Sequence, residues 1–60
     1  MHPIGIKVQH KKTPSIIVEV VDGTPDSADC FCGKAVKSPF TETIGRIYGD
    51  YETKSFIPVP

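Results

Sequence analysis

Residues 15–21, SIIVEVV, place five β-branched apolar side chains in seven positions. Branching at Cβ restricts χ1, disfavours helix and packs well on a pleated surface, so the run is read as a β-strand. In a strand Ile16, Val18 and Val20 share one face, and Ile17, Glu19 and Val21 the other. Both faces are largely apolar, which predicts a central strand nearly covered on both sides. The chain has only 60 residues with which to cover it. At that length about 60% of the unfolded surface is buried on folding, and a single core contributes about 3–5 kcal/mol. One small β domain spanning residues 1–60 is therefore expected.

The flanking segments supply further strands. Ile4, Ile6 and Val8 alternate with Gly5, Lys7 and Gln9, a period of two that predicts a first strand over 4–9. HKKTP then fits a hairpin connection. After the central strand, Asp22-Gly23 supplies a turn and Pro25 lacks a ladder donor, which makes DGTPDSAD the longest loop. Within it, PDSA offers an alternative short helical turn capped by Asp26 or Ser27.

FTETIGRIY, residues 40–48, is read as a third long strand with Gly45 marking a bulge or close approach. Gly49-Asp50 between Tyr48 and Tyr51 reads as a two-residue hairpin turn. That register sets Tyr48 opposite Tyr51, Ile44 opposite Ser55 and Glu42 opposite Ile57. It gathers Phe40, Ile44, Tyr48, Tyr51 and Ile57 on one predicted core face. The prolines of the tail IPVP suit an edge that no further strand extends. The expected fold class is all-β: a small antiparallel sheet or half-open barrel of about five short strands, SH3-like or OB-like in architecture.

Seven basic and seven acidic residues cancel, which removes the global attraction that phosphate backbones or anionic membranes exploit. The charges are unevenly placed. Lys7, Lys11 and Lys12 precede any acid, whereas Glu19, Asp22, Asp26 and Asp29 follow without a base, a dipolar pattern read as solvated loops of a sheet. No apolar run approaches the roughly 18 residues of a membrane span, and the N-terminal stretch lacks the apolar region of a signal peptide. With only two cysteines, a cytoplasmic, reducing setting is expected.

DCFCGK, residues 29–34, carries the sharpest chemistry. Cys30 and Cys32, with His2 and His10, are favoured zinc ligands. A straight strand over 4–9 would hold the two histidines roughly 26 Å apart, so one at most joins the cysteines. The remaining ligand would be Asp29, another acid or a second chain. The alternative is structural: in a strand Cys30 and Cys32 point to one face and Phe31 to the other, and free cysteines act as small hydrophobes. On that reading the stretch fills space beside a turn. A disulfide between them would close a tiny, strained loop and restrain little of the unfolded chain.

CFCGKAVKSPF, residues 30–40, looks like the first half of the CDGSH-type iron–sulfur motif, with Cys30, Cys32 and Pro39 at defining positions. The likeness would imply a two-iron cluster. The sequence departs from it at Ala35, where the motif carries serine or threonine, at Thr41 in place of the third cysteine and at Gly45 in place of the histidine. What remains is too few ligands for a cluster.

No enzyme is expected. Ser15, Ser27, Ser38 and Ser55 sit in no recognisable nucleophile turn, and neither GKAVKS nor GRIYGD has the glycine spacing of a phosphate loop. Tyr48, Tyr51 and Arg46 combine rings with a cation and are the candidate partner-binding residues. The central strand is strongly apolar and the chain has little with which to cover it, so a partner has area to bury. The expected function is a non-enzymatic protein-interaction module, self-assembling or binding a partner protein, of the accessory or phage and viral inhibitor type. The alternatives are a zinc protein using Cys30 and Cys32, and a single-stranded nucleic-acid binder using Tyr48, Tyr51 and Arg46.

Overall fold

In a computed structural model that describes residues 2–60, the chain forms one five-stranded antiparallel sheet. Strands β1 (Lys7–His10), β2 (Ile17–Val20) and β3 (Cys30–Lys37) are followed by a 3-10 turn at Thr41–Thr43 and by β4 (Ile47–Glu52). A second 3-10 turn, Thr53–Ser55, leads directly into β5 (Phe56–Pro58). The order across the sheet is β4-β3-β2-β1-β5. Consecutive strands pair as a meander and the last returns beside the first, so the arrangement is the SH3-like alternative and not the Greek-key path of an OB-fold. No helix is long and apolar enough to cross a membrane.

The apolar run 15–21 holds the central position its composition predicts, but only one face is covered, since Ile17, Glu19 and Val21 on the other are half-buried. β2 is the middle strand, with Val18 fully buried, Val20 buried and Ile16 packed against the same core. β1 alternates likewise: Val8 opposes Val18 and is fully buried, and Ile6 joins the cluster. Phe31 of β3 and Phe56 of β5 complete the core, with ring centroids 5.5 Å apart and nearly perpendicular. The β1–β2 connection is the expected hairpin, tightened by His10, whose Nδ1 accepts from the Lys12 and Thr13 amides at 3.1 and 3.2 Å.

Because only Thr53–Ser55 separate β4 from β5, the sheet must curl until its two edge strands approach. Tyr51 and Phe56 meet across that gap at 5.5 Å, yet the strands share no ladder, so the barrel stays open along one side. The link is tied down by its neighbours: the Thr53 amide donates to Asp29 O, the Lys11 amide to Ser55 O, and His2 Nε2 to Thr53 O. β5 is an edge strand ending at Pro58, as the proline tail predicts.

Five expectations are corrected. The third long strand is 30–37 and not 40–48, so Cys30–Lys34 begin the longest strand, directly after the turn at Ala28-Asp29 that the Cys30 amide closes on Ser27 O. A strand over 40–48 would have carried Glu42 and Arg46 on the same face as Phe40, Ile44 and Tyr48, burying two charges. Residues 38–46 instead form a connection held by local bonds, with Thr43 Oγ1 donating to Phe40 O at 2.7 Å and the Phe40 amide donating to Ser38 Oγ. The hairpin turn at Gly49-Asp50 does not form; both residues are inside β4, whose partner is β3. The proposed core face dissolves with it. Phe40 is 59% exposed, Ile44 43% and Ile57 39%, while Ile4, expected in the first strand, lies outside it and is 64% exposed. The helical turn offered at PDSA is also absent; the 3-10 turns fall at Thr41–Thr43 and Thr53–Ser55.

Candidate functional site

The open side of the half-barrel is where the predicted tyrosines gather. Along β4, stepping from Tyr51 to Tyr48 takes β3 only from Phe31 to Gly33, so β4 carries one residue in excess at Gly49-Asp50. A bulge of this kind reverses the alternation of a strand. Tyr48 and Tyr51, three positions apart, consequently share a face and pack edge to face, centroids 6.2 Å apart at 85°. Tyr51 also stacks on Phe31 at 5.7 Å and 28°. The sequence reading put the two tyrosines together through a hairpin turn; a bulge does so instead.

Room for the Tyr51 ring comes from β3. Gly33 faces the core beneath it: a Cβ there would overlap Val18 Cγ1 and lie 3.2 Å from Tyr51 Cδ2 and 3.3 Å from Phe31 Cε2. The bulge is held from outside by the β2–β3 loop, where the Asp26 amide donates to Gly49 O at 2.8 Å. Pro25 and Asp26 lie so close to Gly49 that a Cβ there would sit 3.4 Å from Pro25 Cα and 3.2 Å from Asp26 Oδ1.

Two shallow recesses open above the tyrosines and share Ile16, Asp50 and Tyr51 in their walls. The first, about 230 Å³, is completed by Tyr48, Phe40 and Ala35. The second, about 270 Å³, continues past Phe56 and His10 to Glu52 and Ser55. Together they make a groove with an apolar and aromatic floor and acids on its rim. Burial pushes the Tyr51 phenol above its ordinary range, and the Asp50 carboxylate and Tyr48 push it the same way. Arg46, the third predicted contact, is exposed in the β3–β4 connection and lines neither recess. Phe40, Asp50 and Ile16 belong to the groove and were read as core, turn and core. The bulge in β4, which composition does not reveal, sets Tyr48, Asp50 and Tyr51 in one recess with Ile16 and Phe40.

The cysteines lie on β3, where Cys30 pairs with Glu52 of β4, and neither lines the two recesses. Cys32 is buried beneath Gly23, whose Cβ, if present, would lie 3.1 Å from Cys32 Sγ. Cys30 is half-buried and accepts the Ser27 hydroxyl at 3.3 Å. Both are free thiols and both border a recess of about 180 Å³ with His2, Asp22 and Pro25. His2 commits Nε2 to Thr53 O, and the Asp22 carboxylate accepts the Gly23 amide. Among the described residues, no group of three or more His, Cys, Asp or Glu side chains is placed to hold a metal ion. His10, at the other end of β1, lies against Phe56 at 5.1 Å.

Family models, curated proteins and solved structures offer no match to this chain.

Proposed function

We propose that this chain is a non-enzymatic protein-interaction module of the cytoplasm, and that the groove on the open side of its half-barrel receives an extended segment of a partner protein. The observation that carries the reading is the Tyr48–Tyr51 pair, two rings set edge to face on a floor shared with Ile16 and Phe40. Tyrosine supplies large, rigid contact area at little entropic cost, which is why it recurs at protein interfaces. Phe40, 59% exposed, adds apolar area to the groove.

The test is selection of binders from a displayed library of random peptides, followed by mapping on the labelled protein by NMR. Binding should move the amides of Tyr48, Tyr51 and Ile16. Tyr48→Ala should weaken it at least tenfold while leaving the fold intact, as expected for an interface anchor. A library that yields no peptide moving those amides removes the reading. Short single-stranded oligonucleotides, titrated at low and moderate salt, discriminate the nucleic-acid alternative: salt-dependent shifts at the same tyrosines would put it first.

A further inference from the structure

We propose that the recess formed by Tyr48, Tyr51 and Asp50 is a receptor for one positively charged side chain, lysine or arginine, carried on the extended segment that the groove binds. The inference rests on the groove reading above and adds the chemistry of the occupant. The first ground is charge. The chain as a whole is neutral, with seven residues of each sign. Yet the charged residues in the walls of the two joined recesses are Asp50 and Glu52, both acidic and both exposed. The one other ionisable wall group besides the tyrosines, His10, has its Nδ1 occupied in accepting the Lys12 and Thr13 amides. Lys11, Lys12 and Lys54 line an adjoining recess, which shares His10, Glu52 and Ser55 with the second recess and no wall residue with the first, where Asp50 is the only charged side chain. That end repels the same side chain, so the acidic end is the one it takes.

The second ground is the geometry of the rings. Tyr48 and Tyr51 stand at 85° to each other with centroids 6.2 Å apart, so the pair offers an aromatic face beside an aromatic edge. A cation is attracted to a ring face when it lies within about 6 Å of the centroid, and an adjoining carboxylate strengthens the same preference. Asp50 is that carboxylate: it lies in the wall of the same recess and its field reaches the phenol of Tyr51. Among the described residues no hydrogen-bond donor engages the Asp50 side chain, which leaves its oxygens for an incoming group. The third ground is size. At about 230 Å³ the recess suits one long side chain with its apolar stem against Ile16 and Phe40.

The experiment uses the full chain and three short capped peptides, apolar except for one central residue that is arginine, glutamine or glutamate. Each is titrated into isotope-labelled protein and followed by NMR. The arginine peptide should bind roughly fivefold more tightly than the glutamine peptide, with glutamate weakest, and should move Tyr48, Asp50 and Tyr51. Asp50→Asn should bring arginine close to glutamine. Tyr48→Leu, which keeps apolar volume but removes the ring face, should also shrink the arginine advantage. Amide dispersion in each variant shows that it is folded. Equal binding of all three peptides at the groove, or an arginine advantage that survives Asp50→Asn, overturns the cation inference and leaves the docking groove standing. Shifts confined to the Lys11, Lys12 and Lys54 end overturn the placement. Failure of every peptide to move the groove overturns both readings together.

Discussion

Gly33 is the residue on which the core turns. It faces inward in the middle of β3 and has no space for a methyl group, because Val18 Cγ1 occupies the position a Cβ would take and the rings of Tyr51 and Phe31 close in from 3.2 and 3.3 Å. Gly33→Ala should therefore cost about 1–3 kcal/mol through overpacking, a large part of the about 3–5 kcal/mol a core of this size contributes. Thermal unfolding followed by circular dichroism would register it as a sharp drop in Tm, and an unchanged Tm would show that Val18 moves aside freely. Tyr51 makes a second residue-scale prediction. Its phenol is raised above the ordinary value of 10.0 by burial first, then by Asp50 and Tyr48. The folded state thus holds the phenol neutral more firmly than the unfolded chain does. Its contribution is complete below pH 10.0 and is lost as pH rises through the folded pKa. Ultraviolet titration of tyrosinate should show one tyrosine ionising late, and Asp50→Asn should shift it back toward its ordinary range.

At the scale of elements, the β3–β4 connection carries the largest departure from alternation. It reverses the chain between Lys37 and Ile47 with a 3-10 turn, and Gly45 then takes φ +86° while its amide donates to Ala35 O at 2.8 Å. No atom lies within 4 Å of the position a Cβ would occupy there, so the demand on this residue is conformational alone. Gly45→Ala should cost about 1–2 kcal/mol from the left-handed backbone, and Gly45→Asn less, because asparagine tolerates that region. Urea unfolding of the two variants side by side checks it, and equal loss would point to a steric cause. β4 and its bulge illustrate why the tyrosine pair was legible and its surroundings were not. Two tyrosines with Gly-Asp between them attract notice in any reading. Whether Gly49-Asp50 turns the chain back or adds one residue to a continuing strand depends on which strand lies alongside, and that is β3.

For the whole molecule, the decisive step is the return of β5 to β1. Phe56 arrives beside His10, Phe31 and Tyr51 at 5.1, 5.5 and 5.5 Å, and so joins the first strand, the third strand and the far edge in a single contact set. Removing a buried phenylalanine costs about 3–5 kcal/mol, equal to all that a core of this size supplies. Phe56→Ala should consequently lack a cooperative unfolding transition at room temperature, whereas Phe56→Leu should keep one at reduced Tm. A Phe56→Ala protein that unfolds cooperatively would mean that the first four strands are stable without the clasp. The same return leaves the barrel open between β4 and β5, and the groove exists because that side is not paired.

The sequence by itself determined the all-β class, the central strand, the alternation of Ile6 and Val8, the β1–β2 hairpin and the proline-ended edge. Each of these follows from branching at Cβ, a period of two or a missing amide donor, which act over a few residues. Tertiary structure alone decided that Cys30–Lys37 is a strand. Its inward positions at Gly33 and Ala35 are small because Val18 and Tyr51 occupy the space in front of them, and small residues leave no apolar alternation to read. It also decided the partner of β4, the bulge that follows, and with them the surface on which Tyr48, Tyr51 and Asp50 meet.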